Sequence, residues 1–435
     1  MNNLKKLALL VFAMALLSVS AFAYTSDRYD FGNVDFGGAT VTIVSWYDPT
    51  ESFKEGGEYA GRLEEAKELF NIGDIQFLQI PWGPDAIETF MSRFMSGDSR
   101  YDIWMLDHAN FFNLRTAGAL YPVGDILGED YYAKLPYQFQ RMAEIFSHKG
   151  KKYTYTSFNG IVNNTVFLVF NKTLLDREGI PYPYEYYHNN QWNWDTLTEV
   201  AKKVTRDTDG DGTIDQWGLT VFNGPDYIHA NGGAITKLVD GKETFVADQV
   251  PTVNALKQMR EWEVELGLVG GTWEIKEFFS GRIAFANMPT WKIKQLKDGM
   301  EDEYGVVPLP MGPDADDYHY PSDNVDSMYI PANAADPKAL VALDNFLWTI
   351  EEFEESMEDQ IIEMASDRDS FEIIKRGIDN WTGEAAYMSW CIGRYYESVW
   401  GSAYQAIMSG EKTAAAATAE IKPEAQALLD EALGQ

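Results

Sequence analysis

The residues best spaced for chemistry form one short acidic loop, "DTDGDGTID", from Asp207 to Asp215. A calcium loop takes oxygen ligands at positions 1, 3, 5, 7 and 9 and a bidentate Glu at position 12, with Gly at the sharp turn. Counted from Asp207, these are Asp207, Asp209, Asp211, the Thr213 carbonyl and Asp215, with Gly212 at the turn. Position 12 is Gly218, so the residue that normally gives two oxygens is missing. The same residues suffice as a helix-to-strand turn. The expectation is therefore no required cofactor and, at most, a structural calcium ion bracing the turn. His108, His148, His188, His229 and His319 show no metal-ligand spacing, and the single cysteine, Cys391, reads as a buried thiol rather than a nucleophile. Nucleophile-elbow, phosphate-loop and zinc-protease motifs are absent from the sequence.

A second set of candidates is defined by the elements that would hold it. "TVTIVSW", "IQFLQI" and "YDIWML" read as strands, separated by helical stripes at Leu63, Ala66 and Phe70 and at Ile87, Phe90, Met91, Phe94 and Met95. This alternation predicts a mostly parallel sheet flanked by helices. Ligands of such sheets bind beyond the carboxyl ends of the strands, which selects Trp46, Tyr47 and Asp48 after the first strand and Asp107, His108 and Asn110 after the third. A second α/β unit begins near "NNTVFLVFNK". Its helix from Trp194 is capped by Asn193, buries Leu197, Val200, Ala201 and Val204, and ends in the acidic loop. The last hundred residues read as helices, with a break at Ser409-Gly410 and a cap at Thr413.

Lys5 and Lys6, an apolar run from Leu7 and the small residues of Ala21-Phe22-Ala23 make residues 1–23 a signal peptide, cleaved after Ala23. No later stretch is long and apolar enough to span a membrane, and the cleavage site lacks a cysteine for lipid attachment, so no membrane anchor is expected. A formal net charge of −32 excludes nucleic acid and anionic membrane surfaces as natural partners. Export, solubility and one cysteine fit a periplasmic, monomeric protein.

Several stretches in order resemble one family, the extracellular solute-binding proteins of family 1 that serve ABC importers: "SGDSRYDIWMLDHANFFNLRTAGALYPV", "VFNKTLLDREGI", "WNWDTLTEVAKKVTRDTDGDGTIDQWGL", "FFSGRIAFANMPTW", "YGVVPLPMGP" and "IMSGEKTAAAATAEI". The resemblance implies a type II periplasmic-binding-protein fold, two α/β lobes with mostly parallel sheets flanked by helices and a hinge between them. Lobe one is expected at 24–158 and 304–353, and lobe two at 159–303 and 354–435. It also implies a carbohydrate ligand, an oligosaccharide or glycoside, delivered to a transmembrane permease by hinge closure. A sugar needs aromatic planes for its C–H faces and Asp, Asn or His for its hydroxyls. Trp291 matches a sugar-stacking tryptophan of the family. Trp46, Tyr47, Asp48, Asp107, His108 and Asn110 fall in its contact turns. Asn163, Asn164, Asn223, Asp226, Tyr396 and Trp400 lie near contact segments without reproducing the family's residues.

Two other functions fit parts of the sequence. A secreted glycoside hydrolase would use export, aromatics and a pair of carboxylates about 5 to 9 Å apart. A receptor for ferric iron would use tyrosines, and Tyr131-Tyr132, Tyr186-Tyr187 and Tyr395-Tyr396 are adjacent pairs in a chain with 24 tyrosines.

Overall fold

The computed structural model describes residues 23–81, 84–97, 101–155, 160–220, 225–240, 242–272, 274–348, 353–383 and 395–434. Its architecture is built on two larger sheets, of four and five strands, each flanked by helices, with three two-stranded ribbons beside them among the described residues, and the two halves are joined by chain crossings. In the first lobe, Thr40–Ser45 pairs in parallel with both Asp74–Gln79 and Ile103–Asp107. The strand Asp326–Tyr329 adds antiparallel at the edge beside Ile103–Asp107. The apolar face of the helix Pro84–Met95 seats Phe90 against Trp104, ring centroids 4.5 Å apart.

The second lobe carries a five-stranded sheet in the order Val269–Gly270, Trp217–Thr220, Ile283–Pro289, Val166–Asn171, Tyr304–Val307. Its strand Val166–Asn171 runs antiparallel to both neighbours, while the other pairings are parallel. Val166–Asn171 and Ile283–Pro289 are buried at every residue, as a sheet covered on both faces requires. The helix Trp194–Val204 lies directly on Trp217–Thr220. A Cβ at Gly218 would stand 2.5 Å from that of Ala201, so position 12 of the acidic loop is a packing glycine with no room for a ligand side chain. The predicted caps are present: Asn193 accepts from Thr196 N at 3.1 Å and Thr413 from Ala416 N at 3.2 Å.

One boundary differs from the expectation. The segment from Tyr304 was assigned to lobe one, but Tyr304–Val307 completes the second sheet against Val166–Asn171. The following loop stays with that lobe: Trp192 Nε1 donates to Pro308 O at 2.8 Å and Asp314 N to Asn231 Oδ1 at 3.0 Å. The chain crosses to the first lobe only between Pro321 and Asp326. There it meets the first crossing, forming a short ribbon: a bridge joins Thr165 to Ser322, Val166 N donates to Pro321 O at 2.8 Å, and Asp323 N donates to Asn164 O at 3.0 Å. The first expected boundary, at Phe158-Asn159, lies outside the described residues.

The lobes also touch away from the ribbon. Gln138 Nε2 of the first lobe donates to Ile378 O at 3.1 Å, and the helix Ala414–Leu433 contacts the helix His108–Thr116. Among the described residues, no helix is long and apolar enough to cross a membrane.

Candidate functional site

Directly after the buried strand Ile283–Pro289, the short helix Thr290–Ile293 begins with Thr290 N donating to Thr165 O of the crossing ribbon at 3.0 Å. This bond fixes the helix at the seam between the lobes and leaves Trp291 39% exposed, an outward aromatic face in a chain that buries most of its large rings. The indole Nε1 donates to Asp323 Oδ2 at 3.4 Å, and the Lys292 ammonium lies 5.3 Å from the ring centroid.

Within electrostatic reach of Asp323 and Lys292, the neighbours of Trp291, Asp226 is buried at the start of the helix Asp226–Ala230 and accepts a hydrogen bond from Asn287 Nδ2. Burial raises the Asp226 carboxyl to about 8, against the Asn287 hydrogen bond and the Lys292 charge that lower it. Asp226 is therefore a neutral acid near pH 7, and the Asp323 charge reinforces that state. Burial also lowers the Lys292 ammonium, while the Asp323 and Glu274 charges hold it up. Asn164, Asn163, Trp291, Asp323 and Asp226 thus converge from four chain segments. Asn287, Lys292 and Asp323 were not among the sequence candidates; the signal for Asn287 was an amide inside the apolar run "IAFANMP".

Across the seam, the first lobe presents Trp46 and Tyr47, ring centroids 4.8 Å apart. The Trp46 indole N–H is buried with no hydrogen-bond partner among the described residues. Burial raises the Tyr47 phenol, and the charges of Asp326 and Glu58 raise it further, which places both carboxylates near this ring. Asp326 is itself buried and accepts from Asn324 Nδ2 at 2.8 Å. It was missed because its relevance depends on pairing opposite Asp107.

Other candidates have different places. Asp48 is exposed, and its Oδ1 accepts from Thr50 N at 2.9 Å and from the Thr50 hydroxyl, which lowers its pKa; its carboxylate is engaged in starting the helix Thr50–Phe53. Asn110 is buried in the helix His108–Thr116. Trp400 is 7% exposed within the apolar core, so its ring presents no open plane. Asn223 lies outside the described residues, as do Cys391 and the side chains of Asp107, His108 and Tyr396.

Of the tyrosine pairs, Tyr131 and Tyr132 are core residues whose hydroxyls donate to Tyr155 O at 2.9 Å and Thr154 O at 3.0 Å. That pair is committed to packing. Within the acidic loop, the carboxylates of Asp207, Asp209 and Asp211 lie within 4.8 Å of one another. Asp207 accepts from Gly210 N and Gly212 N, both at 2.7 Å, and these bonds lower its pKa. Gly210 and Gly212 have φ of 82° and 91°, a backbone that only glycine adopts without cost. Asp215 turns to Thr208, accepting from its N–H at 2.8 Å and its hydroxyl at 2.7 Å. The donor set is three converging carboxylates and lacks a bidentate closing ligand, consistent with a weak oxygen site at most.

The fold has well-matched relatives among solved structures. An ABC substrate-binding protein from Listeria monocytogenes in complex with cycloalternan shares 16% identity with a TM-score of 0.64, over 91% of this chain and 99% of that one. The maltose/maltodextrin-binding domain from Bdellovibrio bacteriovorus bound to maltotriose shares 17% at 0.62, over 91% and 100%. A Mycobacterium tuberculosis protein in complex with glycerophosphocholine shares 16% at 0.65, over 90% and 98%. At these identities the likeness establishes the type II periplasmic-binding-protein fold and no ligand. A comparison with curated proteins found no match. The family model for bacterial extracellular solute-binding proteins, however, matches residues 63–351, more than half of the 435-residue chain. Two lobes, a hydrogen-bonded hinge ribbon and that match agree: the chain belongs to the bacterial extracellular solute-binding protein family.

Proposed function

We propose that this protein is the receptor of an ABC importer and captures a neutral carbohydrate, an oligosaccharide or glycoside, between its lobes for delivery to a transmembrane permease. The observation that carries this reading is the exposed Trp291 face at the seam, with Asp323 at its indole and the Asp226–Asn287 pair within electrostatic reach of Asp323. An aromatic plane beside hydrogen-bonding carboxyl and amide groups matches a ring with apolar C–H faces and a rim of hydroxyls. Solved relatives bound to cycloalternan and maltotriose support the same ligand class. The ligand is assigned as neutral because the carboxylates of Glu58, Asp323 and Asp326 gather around the seam, against the ammonium groups of Lys292 and Lys294 among the described residues, while Asp226 adds a neutral acid. A uronate or phosphate would meet net repulsion there.

Solute binding would favour the closed arrangement and so signal occupancy to the permease. The protein acts in this reading as a periplasmic monomer without an anchor, after cleavage behind Ala23, and performs no covalent chemistry. Calcium, where bound at Asp207, Asp209 and Asp211, braces the second lobe and takes no part in solute capture.

Thermal shifts against a panel of neutral oligosaccharides, with amino acids, glycerophosphodiesters and ferric citrate as controls, test the assignment. A rise confined to one sugar class is expected. A response to ferric citrate or a glycerophosphodiester in its place overturns it, and hydrolysis of a bound sugar identifies a glycosidase.

A further inference from the structure

A line of hydrogen bonds runs beside the candidate site from the hinge to the opposite lobe. Lys294 terminates the helix that carries Trp291, and its Nζ donates to Asn163 Oδ1 at 2.7 Å and to Gln360 Oε1 at 2.8 Å. Gln360 Nε2 donates to Ser356 Oγ at 3.1 Å, one turn back on the helix Phe353–Met364 of the second lobe. The Ser356 hydroxyl then donates to Glu58 Oε1 at 2.5 Å.

Glu58 belongs to the first lobe, and its loop is rigidly built. Tyr59 N donates to Ser52 O at 2.8 Å, and the Tyr59 ring lies against Phe53 with centroids 5.5 Å apart. A Cβ at the preceding Gly57 would stand 2.4 Å from Ser52 O, so the backbone there closes onto itself. Four of the five groups thus sit on or beside second-lobe elements, and Ser356–Glu58 is the one link in the line that crosses the cleft.

We propose that Lys294, Ser356 and Glu58 are positioning residues for solute capture: they hold the Trp291 helix at a fixed separation from the first lobe without touching the solute. The line joins a cation to an anion through two neutral dipolar groups, so each bond polarises the next. Lys294 feels the far end of the line, because the charges of Glu363 and of Glu58 sustain its own against burial. Opening the cleft breaks the Ser356–Glu58 bond, and closing restores it. Apparent affinity scales with the fraction of protein already closed, so a bond present only in the closed state tightens binding of any solute. The inference therefore rests on the family's two-lobe closure and not on the ligand's being a sugar.

The test needs no ligand. Fluorophores on Glu64→Cys and Lys297→Cys, both exposed and on opposite lobes, in a Cys391→Ser background, report the closed-to-open ratio of the free protein. Loss of the hydrogen bond to the charged Glu58 should lower that ratio about tenfold in Ser356→Ala, and Lys294→Met, which removes the two donations to the Asn163 and Gln360 amide oxygens, should lower it in the same direction. Ser356→Thr, which keeps the hydroxyl, should restore it, and melting temperatures should stay unchanged. An unmoved ratio in Ser356→Ala overturns the proposal, as does a ratio that Ser356→Thr fails to restore. Ser356 lies near the surface, so it decides the matter even where Lys294→Met folds poorly. A flat carbohydrate panel would leave this result standing.

Discussion

Replacing Trp291 by Ala removes the aromatic plane to which sugar stacking is assigned, and the size of the loss follows from its exposure. A tryptophan presents up to about 250 Å². With 39% of the residue exposed, roughly 100 Å² is available for a sugar to cover. At about 25 cal/mol per Å² of apolar area removed from water, that face is worth about 2.5 kcal/mol, or roughly 50-fold in Kd. Isothermal titration with the sugar that shifts the melting temperature reads the loss directly. Trp291→Phe keeps part of the plane and should lose much less. The melting temperature of the ligand-free variant is the necessary control, because the indole also bonds Asp323 and flanks Lys292. Unchanged Kd in Trp291→Ala would refute the stacking assignment. A large fall in ligand-free melting temperature accompanying the affinity loss would show that the ring serves packing.

Three further outcomes are expected. Asp344 is fully buried, and burial raises it to about 8, against the facing Tyr155 hydroxyl that lowers it. The folded state thus binds a proton that the unfolded chain releases near pH 4. The stabilisation is full below that pH and is lost as pH rises toward 8, by up to roughly 4 kcal/mol between pH 4 and 7. Asp344→Asn should flatten this part of the stability profile in urea titrations at several pH values; an identical slope to wild type sinks the assignment. Millimolar calcium should raise the melting temperature by a few degrees at about ten times Kd, and the joint change of Asp209 and Asp211 to Asn should abolish that rise. Oligouronides should bind at least about tenfold more weakly than neutral oligosaccharides of equal length, and salt should narrow the gap; equal affinities would contradict the charge argument.

Local patterns carried the elements and caps, and long-range pairing decided what they could not. Leu197, Val200, Ala201 and Val204 repeat at helical spacing because one face of that helix is buried, so the sequence alone locates it. "YGVV" contains equally little polarity whichever sheet receives it. Its partner is chosen by fit to Val166–Asn171, where Phe170 lies so close that a Cβ at Gly305 would stand 2.3 Å from its ring. The same limit hid part of the site. Asn287 and Asp344 stand inside apolar runs, which marks them as unusual but does not say what they face, and Asp326 stands in the polar stretch "SDNVDS", which marks it not at all. Trp291 could be selected from the order of family-like segments, whereas the neutral state of Asp226 arises from burial that only the assembled fold creates.

The position of the site relative to the hinge explains how one bound molecule could govern a whole-lobe movement. Thr165 accepts from Thr290 N on one side and bridges to Ser322 on the other, so the Trp291 helix and both crossing strands share a single residue. Asp323, which meets the Trp291 indole, is also the residue whose N–H closes the ribbon onto Asn164. A solute seated on Trp291 would therefore lie against groups whose backbone partners are the ribbon itself, where a small displacement turns one lobe against the other. The Ser356–Glu58 bond is the last link of the line that starts at Asn163, next to the ribbon. Ribbon and inter-lobe bond are thus ends of one connected path, and Lys294, at the end of the Trp291 helix, lies between them. Changes at Thr165 or Asp323 should accordingly alter solute affinity and the closed fraction together. Changes at Ser356 should alter the closed fraction first and affinity only in proportion to it.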